Sequence, residues 1–181
     1  MANTKGTIQI LNRLVEDKVI SKYALGGAFG ALFYLEPSNT EDIDVFIHLH
    51  PSPGGSLVSL KPIFDRLNHH GYKEWAEDKL VVEGWPLQFL PAAKPLEIEA
   101  LNSAQEHLLE PGLKTWVPTP EHLMALAIDL SRPKDKFRLE QFYGRKAYSP
   151  RRLEAILKKH HLEIKWRQIL ALFEHGPEAY S

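Results

Sequence analysis

Apolar residues along this chain recur with two periods, and the switches between them mark out its elements. Ile8, Leu11, Val15 and Val19, widened by Ile10 and Leu14, fall on one side of a helix over residues 7–20. Tyr23 to Leu25 is a short strand ended by Gly26-Gly27, and Ala28 to Leu35 is apolar nearly all round, as a helix buried between layers is. Glu36-Pro37-Ser38-Asn39 stops that helix. From Asp42 to Leu49 the period becomes two. Asp42, Asp44, Phe46 and His48 share one face of a strand, while Ile43, Val45 and Ile47 point the other way. His50-Pro51-Ser52-Pro53-Gly54-Gly55 is a loop signal, after which Leu57, Leu60, Ile63, Phe64 and Leu67 mark a helix closed near Gly71.

Lys79 to Glu83 and Pro86 to Pro91 form two strands joined through Gly84-Trp85, a short turn that makes an antiparallel hairpin. Leu96, Ala100, Leu101 and Ala104 predict a helix over 95–109, and Leu113 to Val117 a further short strand. Thr119 then caps a helix with Pro120 at its first position and Leu123, Leu126, Ala127 and Leu130 on its buried face. Ser149-Pro150 repeats that start, and helices fill 150–159 and 162–174. The expectation is a mixed α/β (α+β) core over residues 1–118, followed by a helical region over 119–181 packed on or beside it.

Composition narrows the picture. Hydrophobic residues make up 44% and charged residues 25% of 181, enough apolar material for one ordinary core. A net charge of −1 points to neither nucleic acid nor membrane as a partner of the whole surface. With no cysteine, disulfides and thiolate metal sites are excluded. No apolar run reaches the roughly 18–20 residues of a membrane span, and the N-terminus lacks a signal peptide's apolar run. These features predict a cytoplasmic protein.

The candidate chemistry lies between Tyr23 and Leu49. Asp42 and Asp44 project from one face about 7 Å apart along the strand, and paired carboxylates are costly to hold ionised without a cation. Hard cations such as Mg²⁺ favour carboxylate oxygens and commonly bring substrate phosphates. Gly26 and Gly27, at a helix start, offer bare backbone to an anion. His48 shares the carboxylate face and is a candidate to support it. From Arg132 to Arg152 eight Lys or Arg face two acidic residues, the one basic stretch in a neutral chain. That excess suits a triphosphate or an RNA end. His69-His70 and His160-His161 read as helix-end residues rather than metal ligands. Trp75, Trp85, Trp116 and Trp166, with Phe33, Tyr34 and Phe89, read as packing.

Gly26-Gly27, a helix-length spacer and then Asp42-Ile43-Asp44-Val45 resemble the signature of the DNA polymerase β-like nucleotidyltransferase superfamily. The nearest look is to its small prokaryotic branch, the minimal nucleotidyltransferases and the AbiEii-type toxin relatives. The resemblance implies a twisted mixed sheet flanked by helices, two metal ions (Mg²⁺ or Mn²⁺) and a nucleoside triphosphate. A nucleoside monophosphate would move to an acceptor hydroxyl on a protein, an RNA end or a small molecule. It implies that Gly26 and Gly27 let backbone approach the phosphates and that Asp42 and Asp44 hold the metals. Arg132, Lys134 and Asp135 resemble a late-helix motif whose lysine, here Lys134, reaches the triphosphate.

The family's third carboxylate matches Gln88, on the strand Pro86 to Leu90. A glutamine is no general base and binds a divalent cation more weakly. Glu83 is the nearest carboxylate to it in sequence, placed away from position 88 by the hairpin. Three readings stay open at this point. The chain is a transferase working with two carboxylates, or a degenerate binding module acting through a partner in a toxin–antitoxin-like pairing. In the third, it is an unrelated α/β domain whose aspartates face solvent.

Overall fold

The computed structural model describes residues 2–36, 40–49 and 59–175. Among these residues the chain is a mixed α/β structure of eight helices, a five-stranded mixed sheet and a separate two-stranded sheet. The loop motifs expected at Pro37 to Asn39 and His50 to Gly55, and Leu57 of the following helix, lie outside the described residues.

The first helix, α1 (Thr4–Glu16), starts where the Asn3 side chain accepts from Gly6 N, and it buries Ile8, Leu11 and Leu14. It starts three residues before, and ends four residues before, the 7–20 helix the spacing predicts. Lys18 adopts a left-handed φ of 56°, which turns the chain and carries Ile20 into the core outside the helix. Strand β1 (Lys22–Leu25) follows, then α2 (Gly27–Ala31) and strand β2 (Ile43–His48). Helix α2 covers five residues instead of Ala28 to Leu35. Beyond Ala31 the hydrogen bonds tighten to the i−3 spacing, Phe33 N to Gly30 O and Tyr34 N to Ala31 O. Side chains explain the change: Phe33 lies edge-on to His107, and Tyr34 OH donates to Pro118 O at 3.0 Å.

Helix α3 (Lys61–His69) precedes β3 (Trp75–Ala76), β4 (Lys79–Val82) and β5 (Trp85–Pro91). The sheet order is β1-β2-β5-β4-β3, with β2 and β5 parallel and the other pairings antiparallel. The β4–β5 hairpin turns on Glu83 (φ 53°) and Gly84 (φ 80°), both left-handed, the backbone of a two-residue type I′ turn. One expected helix is cut short. Only Pro95–Asn102 is helical (α4), and Gln105–Glu110 is strand β6, paired with β7 (Leu113–Val117). Pro111-Gly112, with Gly112 at φ 85°, makes the turn that the spacing of Leu96, Ala100, Leu101 and Ala104 conceals. Thr115 of β7 is buried against the Tyr23 hydroxyl, 3.1 Å away, which ties this small sheet to β1.

The remaining helices are α5 (Pro120–Leu130), α6 (Pro133–Arg145), α7 (Pro150–Lys159) and α8 (Glu163–His175). Thr119 and Ser149 cap α5 and α7 as expected, accepting from His122 N and Arg152 N. Helix α5 is buried from Glu121 to Ile128 and packs on α2, α4, α6 and α7, so it belongs to the core. Leu130, assigned to its buried face by spacing, is 51% exposed at the helix end. Trp85 meets Phe29 and Trp116 meets Tyr23 edge-on, but Trp75 remains half exposed beside Phe64.

Candidate functional site

Strand β2 and its neighbours build one end of the site. Asp44 stands on β2 directly opposite Gln88 of β5, and parallel partners in register present their side chains to the same face. The β4–β5 register pairs Leu80 with Leu87, which brings Lys79 opposite Gln88 on that face. An acid, an amide and an ammonium thus form a row across three strands. Asp42 lies one residue ahead of β2, its carbonyl accepting from Thr40 Oγ1 at 2.9 Å. Lys79 Nζ reaches it, 2.6 Å from Oδ2, with both side chains about three-quarters covered.

The Gly-Gly turn touches Asp44 closely. A Cβ on Gly27 (φ +57°) would fall 2.0 Å from Asp44 Oδ2, and one on Gly26 would fall 2.4 Å from the Phe46 ring. Both positions therefore need glycine on steric grounds. Gly26 N–H donates to Asp44 O at 2.8 Å, so this N–H is committed to the backbone. Gly27 keeps its place at the site, beside the Asp44 carboxylate.

Helix α6 supplies the opposite wall. Asp135, 1% exposed, accepts from Arg132 Nε at 2.7 Å and from Arg132 Nη2 at 3.3 Å. Arg138 Nη1 lies 3.5 Å from the same carboxylate. Between this wall and β2 and β5 lies a cavity of about 250 Å³ lined by Asp44, Gln88, Leu90, Leu123, Arg132 and Arg138, among others. Burial pushes the Asp44 carboxyl above the usual carboxylate range and the Asp42 charge adds to the rise; Lys134, Arg132 and Arg138 oppose it.

Expected residues divide accordingly. Asp42, Asp44, Gln88 and Gly27 come together. Lys134 is exposed, near enough for its charge to act on Asp44. His48 is exposed beyond Phe46 and does not line the cavity. Glu83 accepts from Tyr72 OH at 2.7 Å and Asn3 Nδ2 at 2.9 Å, which holds the start of α1 to the hairpin turn. The basic stretch is not one patch: Arg132 and Arg138 face Asp135, while Arg145 pairs with Glu36 at 2.7 Å. Sequence reasoning missed Lys79 and Arg138. The signal for Arg138 was its spacing, three residues after Asp135, which itself follows Arg132 by three.

Among the described residues no three His, Cys, Asp or Glu side chains cluster as a metal cage. Asp42, Asp44 and the amide oxygen of Gln88 nevertheless carry hard oxygens on one face of the sheet. The chemistry of this donor set suits a divalent cation, which Asp42 and Asp44 would hold. Among the described residues no helix is long and apolar enough to cross a membrane. Comparison of the chain with family models and with curated proteins gives no match.

Proposed function

We propose that this chain is a nucleotidyltransferase-fold enzyme that binds a nucleoside triphosphate with Mg²⁺ or Mn²⁺ and passes the nucleoside monophosphate to an acceptor hydroxyl. The observation that carries this reading is the cavity, with the Asp44–Gln88 pair on one side and Arg132 and Arg138 on the other. Such a cleft suits a polyanion that brings its own cation. Arg132 and Arg138 are held in place by Asp135 and suit phosphate charge, and the exposed Lys134 adds to the positive charge acting on Asp44. The acceptor oxygen bonds to the α-phosphorus, the bond to the bridging oxygen breaks, and pyrophosphate leaves with that electron pair. Gln88 has no basic atom, so the hydroxyl proton leaves to solvent. A bound divalent ion would offset charge on the phosphates during the displacement.

A second reading has its own support. Gln88 in the row and the Lys79 pairing with Asp42 suit a module that holds nucleotide without turnover and acts through a partner, as in a toxin–antitoxin pair. Calorimetric titration with each nucleoside triphosphate, with and without Mg²⁺, separates the two when pyrophosphate release is followed in the same samples. Metal-dependent binding with release, lost in Asp44→Asn, is the result expected of the enzyme. Binding without release, with every acceptor class supplied, selects the module. Absence of binding, with Asp44→Asn indistinguishable from wild type, overturns both.

A further inference from the structure

We propose that Lys79 is a built-in cation that takes the place of one divalent ion, so that this site binds a single metal ion. The inference rests on the nucleotide reading above and deepens it. Lys79 is placed by the sheet rather than by chance: the tight Glu83-Gly84 turn fixes the β4 register and sets Lys79 beside Gln88 in the row that begins at Asp44. Its ammonium lies 2.6 Å from Asp42 Oδ2, and the two side chains are only 21% and 24% exposed, so solvent screens the pair less than an open surface pair. A divalent ion on that same oxygen would stand within roughly 4 Å of the ammonium, where like charges repel strongly.

The local charge agrees. Asp42 and Asp44 carry two negative charges and Lys79 returns one positive charge, while neutral Gln88 adds none. Before nucleotide binds, one divalent ion more than neutralises what remains. A second would stand beside a net cationic cluster already faced by Arg132, Arg138 and Lys134. The ammonium also carries three N–H donors, more than Asp42 Oδ2 uses, and so suits phosphate oxygens as well.

The test is a Mn²⁺ titration of the full chain, read from the paramagnetic resonance signal of free Mn²⁺, with and without a non-hydrolysable nucleoside triphosphate analogue. Wild type is expected to bind one Mn²⁺ per chain with analogue present. Lys79→Met is expected to gain a second Mn²⁺ and to bind Mn²⁺ alone at least tenfold more tightly. Lys79→Arg, which keeps the charge, is expected to stay at one. Lys79→Gln, a second neutral variant, is also expected to gain the second ion and keeps the idea exposed if Lys79→Met fails to fold, whereas Gln88→Asp, which leaves the ammonium in place, is expected to stay at one. Two Mn²⁺ on wild type or on Gln88→Asp, or no gain in the neutral Lys79 variants, overturns the proposal. Analogue binding is scored separately: its absence, together with a tenfold Lys79→Met effect on Mn²⁺ alone, would sink the nucleotide reading and keep the role of Lys79.

Discussion

At the scale of single residues, the site is built from side chains that leave their neighbours little freedom. Gly27 combines a left-handed φ with a Cβ position 2.0 Å from Asp44 Oδ2, so Gly27→Ala is both strained and obstructed. It should cost about 1–3 kcal/mol and push the Asp44 carboxylate aside. Urea denaturation checks the first effect and Mn²⁺ affinity the second; an unchanged affinity would mean that Asp44 has room the geometry denies it. Asp135 is buried at 1% exposure with two arginines on its oxygens and its N-cap contact to Arg132 N. Asp135→Ala leaves Arg132 and Arg138 without that carboxylate and should destabilise the fold by about 3 kcal/mol. A loss under about 0.5 kcal/mol, within the scatter of ordinary surface substitutions, would show that the arginines find other partners. Asp42, Asp44, Gln88 and Gly27 were readable because their positions follow from strand period and a glycine turn. Lys79 was hidden by register: the turn expected at Gly84-Trp85 would set it opposite Leu90, and the observed turn at Glu83-Gly84 sets it opposite Gln88 instead. A lone lysine on a short strand also reads as an ordinary solvated charge.

Among elements, legibility depended on which force set each boundary. Helices α5 and α7 begin where their Ser or Thr caps and prolines place them, because capping is a local interaction. Helix α2 is short, and β6 is a strand, because tertiary contacts at Phe33, Tyr34 and Thr115 outweigh local spacing. A cluster away from the cavity joins α4 to α7. Glu99 Oε2 lies 2.8 Å from Lys159 Nζ and 2.7 Å from His160 Nε2, and His122 of α5 lies 3.6 Å from Oε1. Burial by itself would raise the Glu99 carboxyl, but the Lys159 and His160 hydrogen bonds and charges outweigh it and bring it down to about 2. A carboxyl whose folded pKa is depressed contributes stability above its unfolded value of 4.5. That contribution should fade as pH falls from 4.5 toward about 2. With the side chain a quarter exposed, screening leaves about 1–2 kcal/mol. Urea midpoints between pH 6 and pH 2 should therefore fall less steeply for Glu99→Gln than for wild type. Parallel curves would show that the clasp adds nothing to stability.

For the whole molecule, the expectation from the element pattern, a core at 1–118 with a helical region after it, meets a physical test in α5. Met124, Ala125 and Ile128 are fully buried, and the helix packs on both α2 and α4, the elements that flank β2. The cavity itself needs α5 and α6, since Leu123, Arg132 and Arg138 form the wall that faces Asp44. Burying three apolar side chains of this kind contributes several kcal/mol, at roughly 1–3 kcal/mol for each larger one, which is a large part of the about 5–15 kcal/mol a domain has. A chain ending at Pro118 should accordingly lose cooperative unfolding, keep little near-ultraviolet circular dichroism and bind an apolar dye. A chain ending at His161, which keeps α5 to α7 and drops α8, should unfold cooperatively at a lower midpoint and still bind Mn²⁺, because α8 meets α5 and α7 but supplies no residue to the cavity wall described above. If the chain ending at Pro118 folded cooperatively instead, α5 would be a separable addition, and the cavity would be an interface between two independently stable parts.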